Sequence, residues 1–116
     1  MRAIPARDWP SYLERVAREH RAWVATVYRG GKIEAQDEPL DSISSSDGID
    51  IRVGSKTIHI DKPRALHVEE TREGAVQALE VADAAGERVT LRFRVAVAPG
   101  ALDGLAPGEL DQRPKG

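Results

Sequence analysis

Three side chains in the middle of the chain, Asp50, His59 and His67, carry the chemistry for a metal site or a proton switch. Two imidazoles and a carboxylate on neighbouring strands, with Cβ atoms ~5 Å apart, can hold Zn²⁺ and leave water in the fourth position. The same groups without metal form a surface Asp–His pair with a second histidine nearby, and such a pair titrates near neutral pH. A hairpin argument brings them together. If Gly54-Ser55 is a two-residue turn, Val53 faces Lys56, Ile51 faces Ile58 and Ile49 faces Ile60. Asp50 then lies opposite His59. A second hairpin across residues 61–65 would set Ile60 against Leu66 and Ile58 against Val68, with His59 opposite His67. The low-charge alternative, and the one preferred here, is an Asp50–His59 contact that favours charged His59, with no bound metal.

A second group is the row Arg88, Arg92 and Arg94, which alternates with Val89, Leu91 and Phe93. Such a row can take a phosphate or an acidic partner. Glu69, Glu70, Glu80 and Glu87 lie on neighbouring segments, so cross-strand ion pairing on a solvated face is the competing reading. His20 is expected to pack at a helix end beside Trp23. Ser44-Ser45-Ser46 precedes a turn and reads as loop chemistry. The chain has no Gly-x-Ser-x-Gly nucleophile turn, no phosphate-binding loop and no dinucleotide fingerprint. Gly30-Gly31 precedes Lys32 but has no helix behind it to present backbone amides to a phosphate.

The elements that must position these groups follow from the hydropathy pattern. Trp9, Tyr12, Leu13, Val16 and His20 recur with helical spacing. Asp8 is an N-cap candidate, Pro10 suits the first turn, and Ser11 with Glu14 offers a second capping box. From Trp23 the period becomes two, and Gly30-Gly31 supplies a tight hairpin turn. Pro39 interrupts the acidic strand that follows, which marks a sheet edge or a bend. Turn signals at Asp47-Gly48, Gly54-Ser55, Glu73-Gly74 and Ala85-Gly86 separate runs rich in Ile, Val, Thr and Leu. In the run from Val76 to Val81, Val76 and Ala78 favour one face while Leu79 and Val81 favour the other, so it is buried on both sides or carries a bulge. The last strand runs through Val89, Leu91, Phe93, Val95 and Val97.

The expected fold is α+β: one N-terminal amphipathic helix packed on a curved antiparallel β-meander, or on a partly closed barrel. Residues 1–98 form a single domain and 99–116 a loosely ordered tail. With 116 residues, 41% hydrophobic and 31% charged, the chain has a folded composition. It has no cysteine, which excludes disulfides, thiolate metal sites and a cysteine nucleophile. The net charge of −2 argues against a dedicated nucleic-acid binder. No segment has the ~20 apolar residues of a membrane span. The first residues have no apolar run behind them, so the expected location is the cytoplasm. Charge is unevenly spread. Residues 1–32 hold seven bases and three acids, and residues 33–50 hold six acids and no base. The acidic stretch is either a contact surface for a basic partner or a solvated face balanced by the basic helix.

The pattern Ile4-Pro5-x-x-x-Trp9, with Trp23 closing the helical segment, resembles a bacterial family classed only as a domain of unknown function. Pro39-Leu40-x-x-Ile43, His59-x-x-x-Pro63, Gly74, Ala78-Leu79-Glu80-Val81 and Leu91-Arg92-Phe93 belong to the same resemblance. It covers residues 4–95 and implies no activity, cofactor or site. The resulting expectation is a non-catalytic interaction or accessory domain, with no cofactor and an unidentified protein partner. The alternative is a metal-binding or pH-sensing domain using His59 and His67.

Overall fold

The computed structural model describes residues 1–94. The expected strand positions Val95 and Val97 and the expected tail 99–116 lie outside the described residues. The elements are β1 (Arg2–Ala3), a 3₁₀ turn (Ala6–Asp8), α1 (Trp9–Glu19), β2 (Val24–Arg29), β3 (Lys32–Ser44), β4 (Ile49–Val53), β5 (Lys56–Ile60), β6 (Pro63–Glu70), β7 (Val76–Asp83) and β8 (Arg88–Phe93). The strands form one antiparallel sheet in the order β1-β6-β7-β8-β2-β3-β4-β5. The sheet does not close into a barrel: β1 and β5 are its two edges. It consists of two local meanders, β2–β5 and β6–β8, joined where β8 pairs with β2.

Helix α1 buries Tyr12, Leu13, Val16 and Ala17, packs mainly on β3, and ends at His20. Its start differs from the capping expectation. Asp8 belongs to the preceding 3₁₀ turn, has helical backbone angles, and makes no side-chain cap. The Ser11 hydroxyl donates to the Asp8 carbonyl at 3.3 Å rather than forming a capping box. The entry into the helix is held instead by the Trp9 indole, whose Nε1–H donates to the Ile4 carbonyl at 2.7 Å.

Strand β3 explains how an acidic segment carries two pairings. Its first half pairs with β2 and its second half with β4, and Pro39 stands at the changeover. Asp37 has φ of 52° in a bulge opposite Thr26, whose hydroxyl accepts the Asp37 backbone N–H at 3.1 Å. The bulge adds twist and turns the strand. The acidic side chains meet bases from the first 32 residues: Arg29 reaches Glu34 at 3.6 Å, and Arg21 reaches Asp41 at 4.0 Å. In β7 the register shifts at Gln77, and both Ala78 and Leu79 are buried, so the strand combines a bulge with burial on two faces. One core runs from Ile4 and the helix through Leu40, Ile49, Ile60, Leu66 and Leu91 to Phe93.

Candidate functional site

The β4–β5 hairpin has the register expected from its isoleucines: Val53 opposite Lys56, Ile51 opposite Ile58, Asp50 opposite His59 and Ile49 opposite Ile60. A two-residue turn makes Val53 and Lys56 a hydrogen-bonded pair, so the alternation leaves Asp50 and His59 a non-hydrogen-bonded pair, the kind whose side chains approach most closely. The His59 Nδ1–H donates to Asp50 Oδ1 at 2.6 Å, and both side chains are partly exposed. This bond raises the His59 pKa above 6.5. Partial desolvation opposes the rise, and the charge of Asp50 adds to it. Gly48 lets the β3–β4 turn pass against the pair. Its φ is +79°, and a Cβ there would lie 2.5 Å from the Ile60 carbonyl oxygen and 3.0 Å from the His59 ring.

His67 is elsewhere. The expected β5–β6 hairpin does not form, so the register placing Ile60 against Leu66 and His59 against His67 is corrected. Between β6 and β5 in the sheet lie β7, β8, β2, β3 and β4. Lys62, with φ of 48°, and Pro63 carry the chain away from β5, and the Lys62 carbonyl accepts the Ala84 N–H at 2.9 Å. His67 faces Ala3 on one side and Glu80 on the other. The row Asp50–His59–His67 is therefore two separate features, and among the described residues no three His, Asp or Glu side chains are grouped to hold a metal. His20 is a packing residue. Its Nδ1–H donates to the Val16 carbonyl at 2.7 Å, its ring stacks on Phe93 at 4.6 Å, and Trp23 meets it edge-on.

The outer face of β6, β7, β8 and β2 gathers the remaining polar groups. One row crosses it as His67, Glu80, Thr90 and Tyr28, and the next as Glu69, Ala78, Arg92 and Thr26. Because Ala78 is small, Arg92 reaches across it to Glu69 at 3.0 Å, and Ala78 is sealed beneath the pair. Arg88 stands opposite Ala82 and makes no ion pair among the described residues. Arg94 joins β2 through its backbone N–H, which donates to the Val24 carbonyl. Arg88, Thr90, Arg92, Tyr28 and the acids Glu80 and Glu87 line an open cleft of about 540 Å³, floored at one end by the glycine turns Gly30-Gly31 and Gly86.

Arg29 was not singled out by the sequence pattern, which treats it as the last residue before a glycine turn. Its guanidinium reaches Glu87 at 3.3 Å and Glu34 at 3.6 Å, and donates to the backbone carbonyl of His59 at 2.7 Å. That bond connects the end of β2 to the outer edge of β5, three strands away in the sheet, and is direct evidence of how far the sheet curls.

No curated protein and no solved structure matches the chain. The model of a family of unknown function, DUF5335, matches residues 1–102. That span takes in both the Asp50–His59 pair and the arginine-lined cleft of β8, and the chain belongs to this family.

Proposed function

We propose that the protein is a non-catalytic interaction domain whose contact surface is the outer face of β8 and its neighbours, and whose partner is an extended acidic segment of another protein. The observation that carries this reading is the placement of Arg88 and Arg92 on either side of Thr90 in the open cleft. Two residues four apart on a strand stand ~13 Å apart. That spacing matches side chains four residues apart on a second extended chain laid along β8 better than it matches one small ligand. Arg88, opposite the small Ala82 and without an ion pair among the described residues, has donors for a carboxylate. Fluorescence anisotropy with a labelled polyglutamate peptide tests the reading. Wild type is expected to bind it saturably and more weakly as salt rises. The folded double variant Arg88→Glu/Arg92→Glu is expected to lose about tenfold or more in affinity. Equal binding by the two proteins would exclude this face.

A second reading is favoured by the 2.6 Å Asp50–His59 bond: a pH-responsive pair beside the β5 edge. It needs neither His67 nor a metal. Its protonation would alter the charge of the same edge to which Arg29 is bonded.

A further inference from the structure

On the helix side of the sheet, at the opposite end from the β5 edge, Tyr12 is 8% exposed and its hydroxyl is fully buried with no hydrogen-bond partner among the described residues. A buried hydroxyl left unmade is costly, and most such groups in folded proteins have a partner. Burial, reinforced by the charge of Glu70, holds this phenol above its ordinary pKa, while Arg2 and Arg15 act in the opposite direction. The hydroxyl is therefore a protonated donor at neutral pH.

Its surroundings are built rather than incidental. Arg2 on β1 is held by Glu70 on β6 through Nε at 3.3 Å and Nη2 at 3.2 Å. This pairing fixes the plane of the guanidinium and leaves its other N–H groups unused, since the fork carries five. Arg2 lies over the Tyr12 ring at 6.0 Å, where its positive charge opposes the rise of the phenol's pKa. Arg15, three residues along α1 from Tyr12 and so on the same helical face, lies over the ring at 5.2 Å and is exposed enough to re-aim. These groups border a cleft of about 490 Å³ between β1 and the first turns of α1, which Arg18 and Ser11 also line. Asp8 and Glu14 line it too and moderate its positive charge.

We propose that this cleft is a binding site for the phosphate group of a small molecule, with Tyr12 Oη, the free N–H groups of Arg2 and the guanidinium of Arg15 as its donors. Three donors arriving from a strand, a buried ring and a helix suit a tetrahedral oxyanion. A planar carboxylate would be satisfied by one guanidinium fork, and that of Arg2 is already taken by Glu70. Glu70 is thus a positioning residue for Arg2, and Asp8 and Glu14 limit the site to modest affinity. The site lies on the helix-covered side of the sheet and does not depend on the β8 surface.

The experiment is a backbone-amide NMR titration of the full chain with inorganic phosphate, with sodium acetate and sodium chloride at matched ionic strength as controls. Phosphate is expected to give saturable shifts at Ser11, Tyr12 and Arg15 that chloride does not produce. Arg15→Gln is expected to weaken phosphate about tenfold, the size of one charge-assisted hydrogen bond. Tyr12→Phe is expected to weaken it severalfold, and in phosphate-free buffer to raise the melting temperature, because it removes a hydroxyl that has no partner. Shifts that follow ionic strength alone would overturn the proposal, and so would tighter saturation by acetate than by phosphate. A lowered melting temperature for Tyr12→Phe without phosphate would do the same, since the hydroxyl would then already be bonded within the protein.

Discussion

On one side of β8, Val89, Leu91 and Phe93 are buried against the helix and the rest of the core; on the other, Arg88 and Arg92 stand in solvent and Thr90 lines an open cleft. The two sides share a backbone, neighbours and register, so they separate what holds the fold from what it presents. The apolar side is crowded: Phe93 stacks on His20, which is tied to the end of α1, and Trp23 closes the cluster at 5.7 Å from Phe93. The polar side is sparse: among the described residues it has an ion pair spanning Ala78 and, beside Ala82, an arginine without one. Stability should therefore respond to changes on one side and binding to changes on the other.

Phe93→Ala tests that division most severely. Removing a ring that is 3% exposed, stacked on His20 and edge-on to Trp23 is expected to cost ~3–5 kcal/mol, a large share of the ~5–15 kcal/mol available to a small domain. A chemical denaturation midpoint near that of wild type would show that the strand is held chiefly by its backbone pairing. On the opposite side, Arg92→Ala breaks a pair whose side chains are 45% and 35% exposed. The expected cost is ~0–1 kcal/mol, because solvent screens such pairs. A loss approaching that of Phe93→Ala would mean that the outer face is structural.

The smallest expected effect sharpens the comparison with the other polar feature, the β4–β5 hairpin. His59 in the folded protein titrates above its ordinary 6.5 because of the bond to Asp50. The raised value means that the native state holds its proton more tightly than the unfolded chain. The resulting stabilisation is complete below pH 6.5 and fades as pH rises through the folded value. In Asp50→Asn the His59 pKa, read from ¹H–¹⁵N correlations of the imidazole, is expected to fall back toward 6.5. An unchanged value would assign the shift to Asp47 and Asp61, the remaining acids that act on it.

Why the Asp50–His59 pair was legible in the sequence and the place of His67 was not has a physical answer. The β4–β5 register is local: a two-residue turn and four alternating isoleucines leave one arrangement that keeps all four on the core side. The same alternation in Ile60, Leu66 and Val68 only states which face is buried. It is satisfied equally by β6 beside β5 and by β6 with five strands between them, because both put those residues in the core. Consecutive strands usually pair, and here they do not. The true partner on one side is β1, a two-residue strand too short to leave a periodic signal. The bend at Pro39, the helix face from Tyr12 to His20 and the bulge near Ala78 were all legible as local conflicts or local periods. The Tyr12 cleft was not, because nothing in a helical apolar stripe distinguishes a core ring from one whose ring faces meet two arginines.

The β8–β2 junction also sets the order in which the molecule can assemble. The β4–β5 hairpin closes over two residues, whereas the bond between Arg29 and Glu87 spans 58 positions. Loop closure of that length is entropically expensive until the contacts it permits are in place. A chain emerging from the ribosome can finish β3 to β5 while β2 still lacks the partner on its other side, and that partner is the last strand described. Pulse-labelled hydrogen exchange should therefore find the amides of β4 and β5 protected first, and those of β2 and β8 together and later. During synthesis, one side of β2 would remain an open edge until β8 has been made.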